Sequence, residues 1–396
     1  YALTSIAVNR GYDFIKGRNR DKLAAAMLNI NLSLGSFEQF FLREDYPDFE
    51  EYRDVLYYDC PLSWEKGTAE LGNRINGLIA NSDIDSAFMK AQLPYLTNKV
   101  CLSNFVSETF LSHVKAILSQ LPSAIRHGYT ASGQSECVDK IFKSFMYNNK
   151  ERFDNKKAFL TFEGHYFGQG SFLSRSISHG EDSPYFPVEK LPHPTKENKK
   201  SVLSAMEVLF KNDQVSSLWL EPLCQLTYER IEDDLLTEIK ALCEKYSIAL
   251  VFNETASQAY SHHDDAYFVS SLITPDATMA FLGGQAAIVG LKEEHFVAKP
   301  LMMISTWDGD EHAFASYHKG MNQILEHKEE FISLKEKFND KIISQVSKFS
   351  GVSHNIRKGK GLITGNLSQE LKDKLQETPE GYVVDATFSN MKAYCE

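Results

Sequence analysis

Between about residues 100 and 290, amphipathic helical stretches alternate with short apolar runs, and this alternation constrains the fold more than any other feature of the sequence. Residues 105–118 place Phe105, Phe110, Val114 and Leu118 at helical spacing. Residues 137–145 read as a second helix, and 157–162 as a short buried strand. The pattern continues with a helix over 202–211, a strand over 217–220, a helix over 231–246 and a strand over 248–252. Glu232, Asp233 and Asp234 stand near the start of the last of these helices, where negative charge complements the helix dipole. Strands joined by crossover helices imply a mostly parallel sheet covered on both faces. The expected class is therefore α/β.

Beyond Thr306 the pattern turns helical, over 311–326 and 329–349, and Ile363 opens a strand-like section. Three parts are expected: an N-terminal helical segment over 1–90, a large α/β domain over 91–310, and a linking helix with a smaller α+β domain over 311–396. Strong helix formers fill 21–28, whereas 37–64 is dense in aromatic and acidic residues and broken by Pro47 and Pro61.

Composition narrows the function. A net charge of −11 gives no support for nucleic-acid binding. No apolar run approaches the roughly 18 residues that a membrane helix needs. Six scattered cysteines without a CxxC pair point to reduced thiols and a cytoplasmic protein. His262-His263-Asp264-Asp265 contains metal-ligating types but no second cluster with ligand spacing, so it reads as a surface loop and no metal is expected.

Several short stretches invite a chemical reading. The apolar run 248–252 stops at the polar pair Asn253-Glu254, and side chains at such strand ends are functional in α/β folds. Ser132-Gly133-Gln134-Ser135-Glu136 lies just before a helix, whose free N–H groups can bind an anion. Phe162-Glu163-Gly164-His165-Tyr166-Phe167-Gly168 and Glu221-Pro222 follow strands. Ser305-Thr306-Trp307-Asp308-Gly309-Asp310 opens a helix, and Gly359-Lys360-Gly361-Leu362 lies in the C-terminal part. Taken singly, each is also an ordinary helix cap, turn or strand end.

In this order the stretches resemble the motifs of class III, fold type I aminotransferases, which use pyridoxal phosphate (PLP). The lysine ε-aminotransferase and 4-aminobutyrate aminotransferase branch looks closest. The resemblance implies the PLP-transferase fold and a dimer, with the N-terminal segment in dimer contacts. It implies a phosphate cup at Ser132, Gly133 and Gln134, an aromatic ring stacked on the cofactor at Tyr166, and a phosphate contact from Thr306 to the partner subunit's site. Glu221 matches a Glu that sits near the substrate.

The departures are as informative as the matches. Asn253 replaces the Asp that pairs with the pyridine nitrogen. An adjacent negative charge keeps that nitrogen protonated, and a neutral amide does not. The family's Schiff-base lysine follows its Pro-Asp pair after five residues; here Pro275-Asp276 leads to Leu282, with Gly283 next, and Lys292 and Lys299 lie well downstream. Phe167 replaces a usual His, Gln134 the hydroxyl of the phosphate cup, and Lys392 occupies the region of a substrate-binding Arg. Asp308 and Asp310 add charge expected to repel a phosphate. The expectation is a degenerate aminotransferase, retained as a homodimeric scaffold or as the partner of an intact relative, with no cofactor or with PLP held only noncovalently. One alternative is a repurposed, PLP-independent reaction using cleft residues such as Tyr166, Glu221, Asn253, Glu254, Cys224 and His165; another is a noncovalent PLP binder or an active transaminase of amino-acid metabolism.

Overall fold

The computed structural model describes residues 107–396 apart from 126, 151–152, 154–156, 180–186, 300–301, 306–307, 373 and 379, together with Leu78, helix α1 (Ser86–Gln92) and Tyr95. The chain divides into two units, Tyr1–Thr68 and Ala69–Glu396. The expected helix over 21–28 and the aromatic stretch over 37–64 lie outside the described residues.

A seven-stranded sheet is built from β1 (His127–Ala131), β2 (Ala158–Phe162), β3 (Val188–Leu191), β4 (Val215–Leu220), β5 (Ala249–Asn253), β6 (Ala277–Gly283) and β7 (Ala286–Leu291), in the order β1-β7-β6-β5-β4-β2-β3. Strands β3, β2, β4, β5 and β6 pair in parallel, while β7 is antiparallel to both β6 and β1. Helices α2 (Glu108–Leu118), α3 (Gln134–Asn148), α4 (Phe172–His179), α5 (Lys199–Lys211) and α6 (Asp233–Tyr246) connect or flank these strands.

Alternation along the central strands feeds two cores. Trp219 and Val251 pack with Cys137, Ile141 and Phe145 of α3. Their neighbours Leu218, Leu220, Leu250 and Phe252 pack with Met206 of α5 and Ile239 of α6. Every residue of β4 and β5 is buried, which is why these strands read as continuous apolar runs. The hairpin joining β6 to β7 turns at Gly283 and Gly284, with φ of 103° and 58°. Only glycine adopts this backbone pair freely, so the turn forms where the family's lysine was sought.

A second, antiparallel sheet holds β8 (Ser353–Arg357), β9 (Lys360–Thr364), β10 (Gln376–Thr378) and β11 (Gly381–Asp385) in the order β10-β11-β9-β8. Helices α7 (Glu311–Glu326), α8 (Lys328–Val346), α9 (Gln369–Lys372) and α10 (Phe388–Cys395) accompany it. Phe338, Ile342 and Val346 of α8 pack with Ile363, Val384 and Met391. Among the described residues no helix is long and apolar enough to cross a membrane.

Candidate functional site

The carboxyl ends of the parallel strands lie on one side of the large sheet, and the segments leaving them meet the start of α3. A cavity of about 560 Å³ opens there. Its wall includes Ser132, Gly133, Gln134 and Ser135 before and at the head of α3, Tyr166 from the loop after β2, and Phe281 from β6. The first intrahelical bond of α3 runs from Cys137 N–H to the Gly133 carbonyl at 3.1 Å. The amides of Gln134, Ser135 and Glu136 precede it, as at any helix N-terminus. No side chain caps this end.

Ser135 ties the wall together. Its hydroxyl oxygen accepts the Gly170 N–H at 2.7 Å and the Ser174 hydroxyl at 2.9 Å. Gly168 lies beside it with φ of 94°, and a Cβ there would stand 2.5 Å from the Ser135 oxygen. Gly168→Ala is accordingly expected to cost about 2 kcal/mol, from the left-handed backbone and the close approach together. Urea denaturation measures this; an unchanged midpoint would contradict the packing described.

The carboxylates around α3 are engaged inside the protein. Glu136 accepts the Ser132 N–H and hydroxyl, each at 2.7 Å, and the Ser305 hydroxyl at 2.6 Å, with Lys140 at 3.2 Å. Burial raises the Glu136 pKa, but these hydrogen bonds and the Lys140 charge outweigh it and leave the carboxyl below its ordinary value. Asp308 accepts the Ser305 N–H at 3.1 Å and pairs closely with the buried Lys140. Asp310 is the N-cap of α7, accepting the Ala313 N–H at 2.9 Å. Asp308 thus shares Lys140 with Glu136, and Asp310 is held as a helix cap, where its charge meets the positive end of the α7 dipole.

Beneath the wall lies a closed polar floor. Gln134 and Gln225 exchange amide hydrogen bonds of 2.9 and 3.1 Å. Gln225 also donates to the Tyr166 carbonyl and to Glu221, both at 2.8 Å. Glu221 takes the Tyr166 N–H at 2.8 Å through its other oxygen. Asn253 donates to the Tyr166 carbonyl at 2.8 Å, and its oxygen accepts the Thr255 N–H at 3.1 Å and hydroxyl at 2.6 Å. Glu221 and Asn253 are each 0% exposed. Of the expected cleft residues, Tyr166 therefore lines the cavity, while Glu221 and Asn253 lie behind it.

Glu254 has a different place. Its carboxylate accepts the N–H groups of Val269 and Ser270 and, at 2.9 Å, the Thr278 hydroxyl, and burial pushes its pKa up. It holds the turn after residue 268 and lines neither cavity described here. His165 is buried, accepting the Glu221 N–H at Nδ1 and meeting His193 at 3.0 Å, and burial followed by His193 holds it far below its ordinary value. The Cys224 thiol is pushed up to about 12 by burial and by the Glu221 charge, which leaves it a thiol, not a nucleophile.

A second chamber of about 250 Å³ adjoins the first and shares Gln134 and Phe281 with it. Leu282 and Gly283 line this chamber. So do Lys360 of β9 and Asp385 of β11, which form an ion pair at 3.4 Å. Lys360 lies in the stretch Gly359-Lys360-Gly361-Leu362, to which the sequence gives no role of its own, and nothing local announces its place here. Lys292 pairs instead with Asp276 at 2.8 Å, and Lys392 with Glu330 at 2.9 Å. Thr306 lies outside the described residues. His262 is buried rather than part of a surface loop, with Nε2 2.9 Å from the Ile231 carbonyl.

No protein-family model matches the chain, and no curated protein matches it by sequence. Solved structures do. The chain is similar to the lysine aminotransferase of M. tuberculosis in its internal aldimine form, at 13% identity and a TM-score of 0.63, over 83% of this chain and 86% of that one. This is the type I fold of PLP-dependent transferases. An (S)-enantioselective ω-transaminase from Thermomicrobium roseum gives 14% identity and a TM-score of 0.66 over 83% and 86% of the two chains. The ornithine δ-aminotransferase of Plasmodium falciparum gives 13% and 0.57 over 78% and 82%.

These structures correct the expectation of no cofactor: the proteins named above are transaminases, one of them solved as the internal aldimine, and PLP held noncovalently is compatible with them. The wall of the larger chamber fits such a group. It offers volume, the amides heading a 15-residue helix, and Tyr166; the carboxylates on its wall, Glu136 and Asp139, accept hydrogen bonds from Ser132 and Ser171. The end of β6 does not fit a covalent anchor, because Leu282 is 2% exposed within an apolar core and Gly283 has no side chain.

Proposed function

We propose that this chain is an aminotransferase-fold protein that has lost conventional transamination and persists as a dimeric, cytoplasmic scaffold whose cleft still takes PLP. The observation on which this rests is the end of β6, where Leu282 and the turn glycine Gly283 supply no amine. Bound PLP supplies an electron sink, provided that its ring nitrogen is protonated. Asn253 offers no charge to hold that proton, and its amide is already engaged with the Tyr166 carbonyl. The α3 amides would hold the phosphate and Tyr166 would lie beside the ring, while the Gln134–Gln225 bridge closes the floor. The order of the motifs and the likeness to a lysine aminotransferase support the lysine ε-aminotransferase branch as the origin of this scaffold. The partner is a second copy of the chain or an intact relative.

The reading is tested by offering the purified protein lysine or ornithine as amino donor and an oxo acid as acceptor, with saturating PLP. Cofactor binding is expected by absorbance and equilibrium dialysis. Turnover is expected to lie at least ~10²–10⁴-fold below that of an intact transaminase, the usual contribution of a positioned proton-transfer group. Turnover at ordinary transaminase rates would sink the proposal. Sedimentation checks the dimer separately.

A further inference from the structure

We propose that Lys360 is the amine of this cleft, condensing reversibly with an aldehyde-bearing ligand that enters the second chamber, with Asp385 as its proton partner. Three observations converge on it. Lys360 is, among the described residues, the lysine on the wall of either chamber. It shares its chamber with Leu282 and Gly283, the positions from which the expected lysine is missing. It comes from a different sheet and is anchored by a carboxylate at 3.4 Å, with both side chains largely withdrawn from solvent at 14% and 17% exposure.

Two further lysines stand near the pair. Lys335 is fully buried, donates to the Ala259 carbonyl at 2.6 Å and the Ser261 hydroxyl at 3.3 Å, and is held well below the ordinary lysine range by burial and then by the charge of Lys360. Lys358, close by, pairs with Asp264.

The condensation balances without an oxidant. The ammonium of Lys360 passes a proton to Asp385, and the Nζ lone pair adds to the aldehyde carbon. The carbonyl electron pair moves to oxygen, which takes one proton from Nζ and a second returned by Asp385 and leaves as water. A carbon–nitrogen double bond forms between the ligand and Nζ. Gln134 and Phe281 line both chambers, so the head of α3 adjoins the chamber that holds Lys360.

The inference rests on the proposed function only for its first probe, PLP. The second probe is pyridoxal, the same aldehyde without the phosphate. Each is incubated with the full chain, reduced with borohydride, and located by peptide mass mapping. Substoichiometric PLP is expected to label the peptide holding Lys360 in preference to all others, and pyridoxal to label it at higher concentration. Lys360→Arg keeps the charge opposite Asp385 and is expected to lose that label by at least 10-fold while retaining its fold by circular dichroism. Asp385→Asn is expected to slow labelling and to shift its pH profile. Label confined to other lysines with both aldehydes, or equal labelling in Lys360→Arg, overturns the inference. PLP that binds but is not fixed at Lys360 refutes it alone, whereas PLP that does not bind refutes the proposed function while the pyridoxal arm still decides Lys360.

Discussion

Replacing Glu221 with Ala is expected to destabilise the protein by roughly 3–5 kcal/mol and to loosen the wall that carries Tyr166. Glu221 is fully buried, and each of its oxygens accepts a hydrogen bond of 2.8 Å, one from the Tyr166 N–H and one from the Gln225 amide. Truncation removes the acceptor of the Tyr166 N–H at about 1–3 kcal/mol, leaves Gln225 only its bonds to Gln134 and the Tyr166 carbonyl, and opens a void where the side chain stood. Asn253 loses its neighbour at 3.5 Å as well. Because the loop after β2 hangs on this carboxylate, PLP affinity should fall with stability. Glu221→Gln tests the cause. Its amide presents a donor to one of two donors, so an intermediate loss is expected, with no void formed. Equilibrium urea unfolding reads the stability and dialysis the affinity. A wild-type midpoint in Glu221→Ala would mean that the carboxylate does not hold the loop.

The elements legible in the sequence are those whose burial is total. β4 and β5 are buried on both faces, so they appear as apolar runs bounded by turns, and the amphipathic α3, α5 and α6 follow from helical spacing. β1 and β3 escaped because they are short strands at the sheet edges, only partly buried and with polar residues among their few positions. β7 is signalled only by Gly283-Gly284, since two glycines between apolar runs mark a hairpin, but the same positions also align with the family's lysine. The site divides in the same way. The missing amine is a property of single positions, so it is legible. Asn253 and Glu254 are neighbours at a strand end, where successive side chains point to opposite faces, and so only Asn253 could look toward the Tyr166 loop. Contacts across long separations were out of reach. The Gln134–Gln225 bridge spans 91 positions and the Lys140–Asp308 pair 168, and each changed the chemistry inferred from its members alone. Lys360 is the clearest case, since a sheet that begins beyond residue 350 delivers it to a cleft built by residues before 290.

Burial of a neutral histidine should make the protein acid-sensitive in a defined window. His262 is held at about 3 against an ordinary 6.5, first by burial and then by the nearby Arg230 charge. Asp233 lies 3.3 Å from Nδ1 and favours the charged form, but its side chain is 44% exposed and its attraction is weakened by solvent. Below about pH 6.5 the unfolded chain binds a proton at this residue that the folded protein refuses. Unfolding therefore becomes easier as pH falls from about 6.5 toward 3, and the stabilising contribution is complete only above that window. At 1.36 kcal/mol per unit, the loss attributable to His262 between pH 6.5 and 4 is roughly 3 kcal/mol. Other groups titrate in the same range. Glu254, with its raised pKa, acts with the opposite sign, and His113, held at about 4 by burial and by His318, acts with the same sign. The comparison must therefore be with His262→Gln, whose amide can still donate to the Ile231 carbonyl but cannot take the proton. Urea midpoints measured from pH 7 to 4 should fall more steeply for the wild type by about that amount. Parallel curves for the two proteins would show that the acid sensitivity lies elsewhere.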